Sequence, residues 1–235
     1  MKLSVLIRGL NFSEKDRFGF PMDARENAAS IVEKVLSPIR AANSEAKVYL
    51  VTYDSPVLQE VRQAFEPCEL ILLNAAGSSQ AETYKEGLKH IYEKDDCDAV
   101  VAIRFDLAFK KRFDEWNVNI TDDVIYFPWK EYLKYWRDHR RVGDAVHIIG
   151  RKMMSPFHSA IIMTQLAGRK DMHLIFYFLR TMVGNMKFIE DGYWDSNTVY
   201  SAPELDNPLY RIFNRPQFIE SPLSPNAGYN EIKTE

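Results

Sequence analysis

The 235-residue chain has only two cysteines and no long apolar run. Cys68 and Cys97 form neither a CxxC pair nor a disulfide framework, which excludes a cysteine-stapled scaffold, argues against a zinc site and predicts a reducing, cytoplasmic compartment. Arg8 interrupts the first apolar stretch well short of the roughly 20 residues of a membrane span. We therefore expect neither export nor a transmembrane segment.

An excess of positive charge is also missing. Thirty Lys and Arg residues stand against 33 Asp and Glu residues, a net charge of -3. Nucleic-acid binding that rests on phosphate neutralisation is therefore not expected. With 46% hydrophobic and 27% charged residues, the composition is that of an ordinary globular protein. The length favours one domain, because single cores usually stop growing near about 250 to 300 residues.

Several familiar functional motifs are absent. No GxGxxG follows the first apolar run, and no GxxxxGK[ST], GxSxG or HExxH occurs anywhere. Generic dinucleotide, P-loop, hydrolase and zinc-protease functions therefore lack their key residues. The five histidines are scattered, with no pair at the i, i+4 spacing of a helix-borne metal site.

Short apolar runs alternate with helical patterns in the first half of the chain. Each run is continuous, as in strands that are buried on both faces, so the order predicts an α/β fold with a mostly parallel sheet flanked by helices. Asp23 is a candidate N-cap, and Pro38 predicts a bend or an end in the first helix. The predicted strands are 3–10, 47–52, 69–73 and 98–103, and the predicted helices cover 23–39, 57–65 and 78–94.

The rhythm changes after Phe109. Aromatic segments are followed by a predicted strand at 145–149 and by two predicted helices, 156–165 and 172–183. The last residues, 221–235, are rich in Pro, Ser and Asn and predict a loose tail.

Charged residues end the fourth strand, where open α/β sheets bind their ligands. Arg104 and Asp106 are two residues apart, so they share a face. Asp106 could hold Mg²⁺ or Mn²⁺ against a diphosphate, and Arg104 could bind phosphate through its planar fork. The alternative is an arginine–carboxylate pair that only ends the strand.

Two other strand ends carry similar chemistry. Arg8 and Gly9 follow the first strand and offer a cation and a close backbone approach, and a simple turn is the alternative. Thr52 and Tyr53 end the second strand and offer a hydroxyl and an aromatic ring for a nucleoside base.

In this order, the motifs resemble those of the GT-A fold nucleotide-sugar glycosyltransferases, most closely the small enzymes of capsule and viral-glycan assembly. The resemblance spans about residues 3 to 215 and departs from the fuller Asp-x-Asp motif at Arg104. The motifs that carry it are Arg8-Gly9, Thr52-Tyr53-Asp54-Ser55, Ser79-Gln80, Arg104-Phe105-Asp106-Leu107, Val142 to Gly150, Asp195-Ser196-Asn197-Thr198 and Asn207-Pro208-Leu209-Tyr210.

The resemblance implies a Rossmann-like catalytic domain over 1–220, with a donor half at about 1–110 and an acceptor half at about 111–220. It also implies transfer of a sugar from a nucleotide diphosphate sugar to a hydroxyl of a glycan or glycoconjugate. The expected donor is linked to uridine diphosphate. Asp106 is then the expected ligand of Mn²⁺ or Mg²⁺, and Asp144 the expected general base, with Asp191 and Asp195 as substitutes. The implied donor-binding residues are Arg8, Gly9, Thr52, Tyr53, Gln80, Arg104 and Asp106.

Aromatic residues of the second half are candidates for acceptor binding. Trp129 and Tyr132, and more weakly Tyr193 beside Asp195, combine ring faces with polar edges that suit sugars. The alternative is core packing, because Trp129, Tyr132 and Trp136 have the i, i+3, i+7 spacing of an amphipathic helix.

Two other functions remain open. A nucleotidyltransferase would share the sheet and a carboxylate-bound metal, but the usual Gly-rich, Lys-containing loop is absent after the first strand. A non-catalytic descendant that binds glycan or a protein partner would explain the incomplete Asp-x-Asp motif.

Overall fold

The computed structural model describes residues 1–16, 19–74, 79–195 and 206–215. The predicted tail, 221–235, lies outside these residues. The strands are β1 (Leu3–Arg8), β2 (Phe12–Ser13), β3 (Met22–Asp23), β4 (Lys47–Tyr53), β5 (Glu69–Leu73), β6 (Ala99–Arg104), β7 (Leu107–Phe109), β8 (Ile125–Phe127), β9 (Lys130–Glu131), β10 (His147–Gly150), β11 (Met186–Phe188), β12 (Tyr193–Trp194) and β13 (Tyr210–Ile212). The α-helices are α1 (Ala24–Ile31), α2 (Ser37–Ala42), α3 (Leu58–Phe65), α4 (Gln80–Lys94), α5 (Leu133–His139), α6 (Met154–Leu166) and α7 (Ile175–Leu179).

Within the described residues, a seven-stranded sheet runs in the order β11-β8-β10-β6-β1-β4-β5. Strand β1 pairs in parallel with β4 and β6, β4 with β5, and β8 with β11. Strand β10 alone among these seven is antiparallel to its neighbours, β6 and β8. The predicted α/β class with a mostly parallel sheet flanked by helices is confirmed.

Both faces of the sheet are buried, as the continuous apolar runs predict. Val5 and Ile7 of β1 belong to the core that includes residues of α1 and α3, whereas Leu6 belongs to the core that includes residues of α4 and α6. Burying each such side chain contributes roughly 1.5 to 3 kcal/mol to folding. Alternate residues of one strand therefore anchor opposite helical layers.

The first helix begins where the sequence indicates. Asp23 caps α1, and its carboxylate accepts a hydrogen bond from the backbone of Arg25. The irregularity expected near Pro38 is a π-helical turn over Val32–Leu36, after which α2 continues to Ala42. A widened turn before Pro38 accommodates a residue that lacks an N–H and crowds the preceding turn.

The helix predicted at 172–183 is wrong in extent, because α7 covers only Ile175–Leu179. His173 lies outside it because its backbone carbonyl accepts from Val142 N at 3.0 Å, and its Nδ1 lies 3.0 Å from Val142 O. Pairing with a distant segment thus removes these residues from the helix.

In the part of the chain that the structure describes, none of the helices has the length and apolar character needed to cross a bilayer.

Candidate binding site

A cavity of about 380 Å³ opens at the carboxyl ends of β1, β4 and β6. Parallel register brings these ends together, with Arg8 opposite both Arg104 and Val51. Six of the seven predicted donor residues line it, and Thr52 is the exception. Asp144, the predicted general base, does not line it either. The lining residues on which the following argument draws are Arg8, Gly9, Lys15, Asp16, Tyr53, Ser79, Gln80, Arg104, Asp106, Lys170, Asp171 and Arg215.

Arg8 is fully buried at the base of the cavity. Its Nη2 donates to the backbone carbonyl of Asp144 at 2.9 Å, and its guanidinium carbon lies 3.6 Å from the centre of the Tyr84 ring. Its Nε and Nη1 have no hydrogen-bond partner among the described residues. Burial lowers the pKa of Arg8, and the neighbouring Arg104 adds to this effect. Arg8 is therefore a desolvated cation with two unpaired donor groups.

Arg104 and Asp106 form the pair that the sequence leaves open as an alternative. Arg104 Nε donates to Asp106 Oδ1 at 2.8 Å, and Nη2 donates to Oδ2, so both carboxylate oxygens are engaged. The two side chains are only 15% and 13% exposed. Arg104 and Asp106 therefore form an ion pair with each other and also line the cavity.

Asp144 lies behind the arginines and outside the cavity lining. Its side chain is 3% exposed, with Oδ1 3.6 Å from Arg104 Nη1 and Oδ2 3.3 Å from His173 Nε2. Burial raises its pKa, but His173, Arg104 and Arg8 outweigh that effect and hold the pKa well below its usual range. A carboxylate so placed supports the two arginines, and the general-base role expected of Asp144 stays a prediction.

Two buried histidines near Asp144 have pKa values that are shifted in opposite directions. Burial, followed by repulsion from Arg8, lowers the pKa of His147 to about 3, and its Nδ1 contacts the Tyr84 hydroxyl. Burial also disfavours protonated His173, but Asp144 and Glu131 more than compensate and raise its pKa.

The first strand ends in the turn that its glycine predicts. Gly9 has φ of +113°, a conformation that glycine adopts without steric cost, and no atom lies within 4 Å of where a Cβ would stand. Thr52 is fully buried and donates to the Gly9 carbonyl at 2.8 Å. Thr52 thus shapes the turn and does not line the cavity, and the ligand contact of its hydroxyl stays a prediction.

Helix α4 presents its N-terminus to the cavity. Ser79 caps it, and the Ser79 hydroxyl accepts from Glu82 N at 3.0 Å. The Gln80 side chain lines the cavity, and its Oε1 has no hydrogen-bond partner among the described residues. The positive end of the helix dipole is therefore directed at the site.

Sequence reasoning missed the residues that loops contribute. Lys15, Lys170 and Arg215 raise the cations in the lining to five, against the carboxylates of Asp16, Asp106 and Asp171. Arg215 pairs with Asp16 at 2.9 Å, whereas in the described ranges neither Lys15 nor Lys170 pairs with a carboxylate. None of the three cations sits in a motif or at a strand end, so only the fold reveals them.

The predicted acceptor residues do not reach the cavity. Trp129 is fully buried, 5.0 Å from the ring centre of Tyr210, and its contact with an acceptor stays a prediction. Tyr132 and Asp195 are also buried. Tyr193, 40% exposed, is the one of the four that solvent reaches readily. The alternative of core packing holds for the first three, because each ring or carboxylate lies inside the second half.

The described residues do not fit a protein-held divalent metal. Asp106, the expected ligand, has both oxygens bound by Arg104. Across the described ranges, no group of three His, Cys, Asp or Glu side chains is placed to hold an ion. A divalent ion on Asp106 would therefore have to take its other oxygen ligands from a diphosphate and water, and to compete with Arg104 for the Asp106 carboxylate.

Comparisons with known proteins were made on sequence and on structure. No protein-family model and no curated protein matches the chain. Similar solved structures include the galactosyltransferase LgtC in complex with donor and acceptor sugar analogues, at 13% identity and a TM-score of 0.47, over 79% of this chain and 72% of that one. They also include the glycosyltransferase GlyE of Streptococcus pneumoniae, at 15% identity and a TM-score of 0.45, over 80% and 45%. The chain spans less than half the length of GlyE.

Proposed function

We propose that the chain is a glycosyltransferase that moves a sugar from a nucleotide diphosphate sugar to a hydroxyl of a glycan or glycoconjugate. The observation that carries the proposal is the basic cavity of about 380 Å³ at the carboxyl ends of β1, β4 and β6. Its volume lies within the range of about 300 to 1,000 Å³ typical of small-ligand sites. Tyr53 offers a ring beside the cations, as a nucleoside diphosphate requires.

The chemistry places negative charge on the diphosphate as its bond to the anomeric carbon breaks. Arg8 and Arg104 are fixed in position before that charge develops, which is how preorganised cations lower a barrier. Asp106 lines the same cavity, and its carboxylate would stabilise the positive charge of an oxocarbenium-like transition state.

In an inverting transfer, a base must also accept the proton of the acceptor hydroxyl. Among the three carboxylates of the lining, the side chain of Asp171 is 26% exposed, against 13% for Asp106 and 11% for Asp16. Asp171 is therefore our candidate for that role, in place of the buried Asp144.

One observation favours a second candidate function. Because Arg104 binds both oxygens of Asp106, the cavity could serve as a non-catalytic site for an anionic ligand. Such a protein would bind nucleotide sugars, or a glycan with acidic groups, without turnover.

The test is a panel of nucleotide sugars, starting with uridine-linked donors, assayed for binding by thermal shift and for release of the nucleoside diphosphate with mixed glycan acceptors. Ligand at 100 times its Kd stabilises the fold by about 2.7 kcal/mol. Asp106→Asn should lower turnover at least tenfold. Asp114→Asn is the matched control, because Asp114 forms the same i, i+2 pair with Arg112 on the exposed surface.

Three results are distinguishable. Binding with turnover that only Asp106→Asn impairs supports the transferase. Binding without turnover for any donor supports the non-catalytic site, and no binding by any donor contradicts both.

A further inference from the structure

We propose that this cavity holds the diphosphate of its donor with arginine side chains and without a divalent metal. The inference rests on the proposed function and concerns the same site. It predicts that Arg8, together with Arg104, neutralises the diphosphate charge that a bound divalent cation would otherwise neutralise.

The first argument is that Asp106 is not available as a metal ligand. Its bidentate pair with Arg104 would have to break before both of its oxygens could face a cation. A divalent ion on Asp106 would also stand beside the Arg104 guanidinium, and like charges at that distance repel. Asp144 also holds Arg104, with Oδ1 3.6 Å from Nη1, and His173 in turn pairs with Asp144, so the guanidinium is fixed by two carboxylates.

The second argument is that Arg8 lacks a counter-ion. Among the described residues no carboxylate lies within ion-pair distance of its guanidinium, although the side chain is fully buried. Removing a cation from water costs several kcal/mol unless an anion compensates for the lost hydration. The Asp144 carbonyl and the Tyr84 ring compensate in part. The Arg8 Nε and Nη1 groups have no hydrogen-bond partner among the described residues, so they remain as donors for the oxygens of an anion.

The third argument is the arrangement around Arg8. Arg104 is its direct neighbour across the β1–β6 pair, and the positive charge of Arg104 helps to lower the pKa of Arg8. Lys15 and Lys170 line the cavity without carboxylate partners in the described part of the chain, and Ser79 brings the positive end of α4 to the same wall. A diphosphate carries several negative charges, and this set can balance them.

The experiment is calorimetric titration of the whole chain with uridine, guanosine, adenosine and cytidine diphosphates and with inorganic pyrophosphate. Each titration is run once with chelator and once with Mn²⁺. We expect the best nucleoside diphosphate to bind with chelator at a Kd within about threefold of that with Mn²⁺. Detectable binding only with Mn²⁺ would overturn the inference and leave the proposed function standing. No binding under either condition would overturn both.

A pair of matched variants tests the role of Arg8. Arg8→Lys keeps the charge but removes the planar fork, and we expect its Kd in chelator to rise at least tenfold. Arg62→Lys makes the same change on the exposed face of α3, away from the cavity, and should leave the Kd unchanged. An unchanged Kd in Arg8→Lys would contradict the proposal. If that variant does not fold, the comparison of chelator with Mn²⁺ on the wild-type chain decides.

Discussion

At the scale of single residues, Asp144 illustrates how a buried carboxylate acts through its neighbours. Its backbone carbonyl binds Arg8, and its side chain contacts Arg104 and His173. Asp144 therefore positions both arginines at the cavity, although it does not line the cavity itself. Its position fits a positioning residue better than a base.

Asp144→Asn tests that role. Loss of the negative charge leaves Arg104 and His173 under-compensated in a buried site, so the free energy of unfolding should fall by about 3 kcal/mol. The Kd for a nucleoside diphosphate should rise, because the arginines lose their support. Urea unfolding and calorimetry measure both, and Asp122→Asn, which removes an exposed partner of Lys152, is the control. A loss of turnover of 100-fold or more with an unchanged Kd would instead indicate a general base.

The site residues that sequence alone could predict are those at strand ends. Arg8 and Asp106 follow from the rule that parallel strands deliver their carboxyl ends to one edge, and both line the cavity. Lys15 and Lys170 could not be predicted, since loops that are distant in sequence place them there. The burial of Trp129 could not be predicted from spacing alone, because an aromatic stripe has the same spacing in a core as at a surface.

At the scale of elements, α4 depends on a close approach to the sheet. A Cβ on Gly87 would lie 2.8 Å from Leu6 Cδ1 and 3.0 Å from Val51 Cγ2, so this glycine sets how near the helix packs to β1 and β4. The same helix carries Ser79 and Gln80 to the cavity wall. The distance between α4 and the sheet therefore also sets the position of the α4 N-terminus at the cavity.

Gly87→Val should move α4 away from the sheet. Overpacking of a filled core costs about 1 to 3 kcal/mol, so the midpoint of urea unfolding should fall. The affinity for a nucleoside diphosphate should fall with it, because Ser79 and Gln80 move with the helix. Gly184→Val places the same side chain in open space and is the matched control. Equal effects of the two substitutions would contradict this account of α4.

Elements were easier to predict from the sequence than their ends. The four strands of the first half and helix α4 are confirmed, because continuous apolar runs and Asp or Ser caps are local signals. The extent of α7 and the path through Pro38 depend on contacts with Val142 and on a π-helical turn, which no local pattern encodes.

At the scale of the whole molecule, His147 and His173 contribute to folding stability in opposite pH ranges. His147 has a pKa of about 3 in the folded state against 6.5 in the unfolded chain, so its contribution is complete above 6.5 and is lost as pH falls toward 3. His173 has a raised pKa, so its contribution is complete below 6.5 and is lost as pH rises through the folded value. Arg8 and Asp144 face His147, whereas Asp144, Glu131 and Arg141 face His173.

Urea unfolding from pH 4 to pH 8.5 separates the two contributions. His147→Gln should flatten the loss of stability on the acid side, and His173→Gln should flatten it on the alkaline side. Each variant is the control for the other. Parallel curves for both variants and the wild-type chain would show that neither histidine contributes in this way.

The direction of β10 has a consequence for changes in chain length. The neighbouring strands β1 and β6 supply the cavity edge with residues at their ends, whereas the antiparallel β10 brings the residues before its start, including Asp144, to that edge. An insertion just before His147 would therefore displace the support of Arg8 and Arg104. An insertion just after Gly150 would instead fall at the opposite rim of the sheet, where it would disturb the backbone bonds of Gly150 and Arg151 to Val124 and Asp98 rather than the cavity.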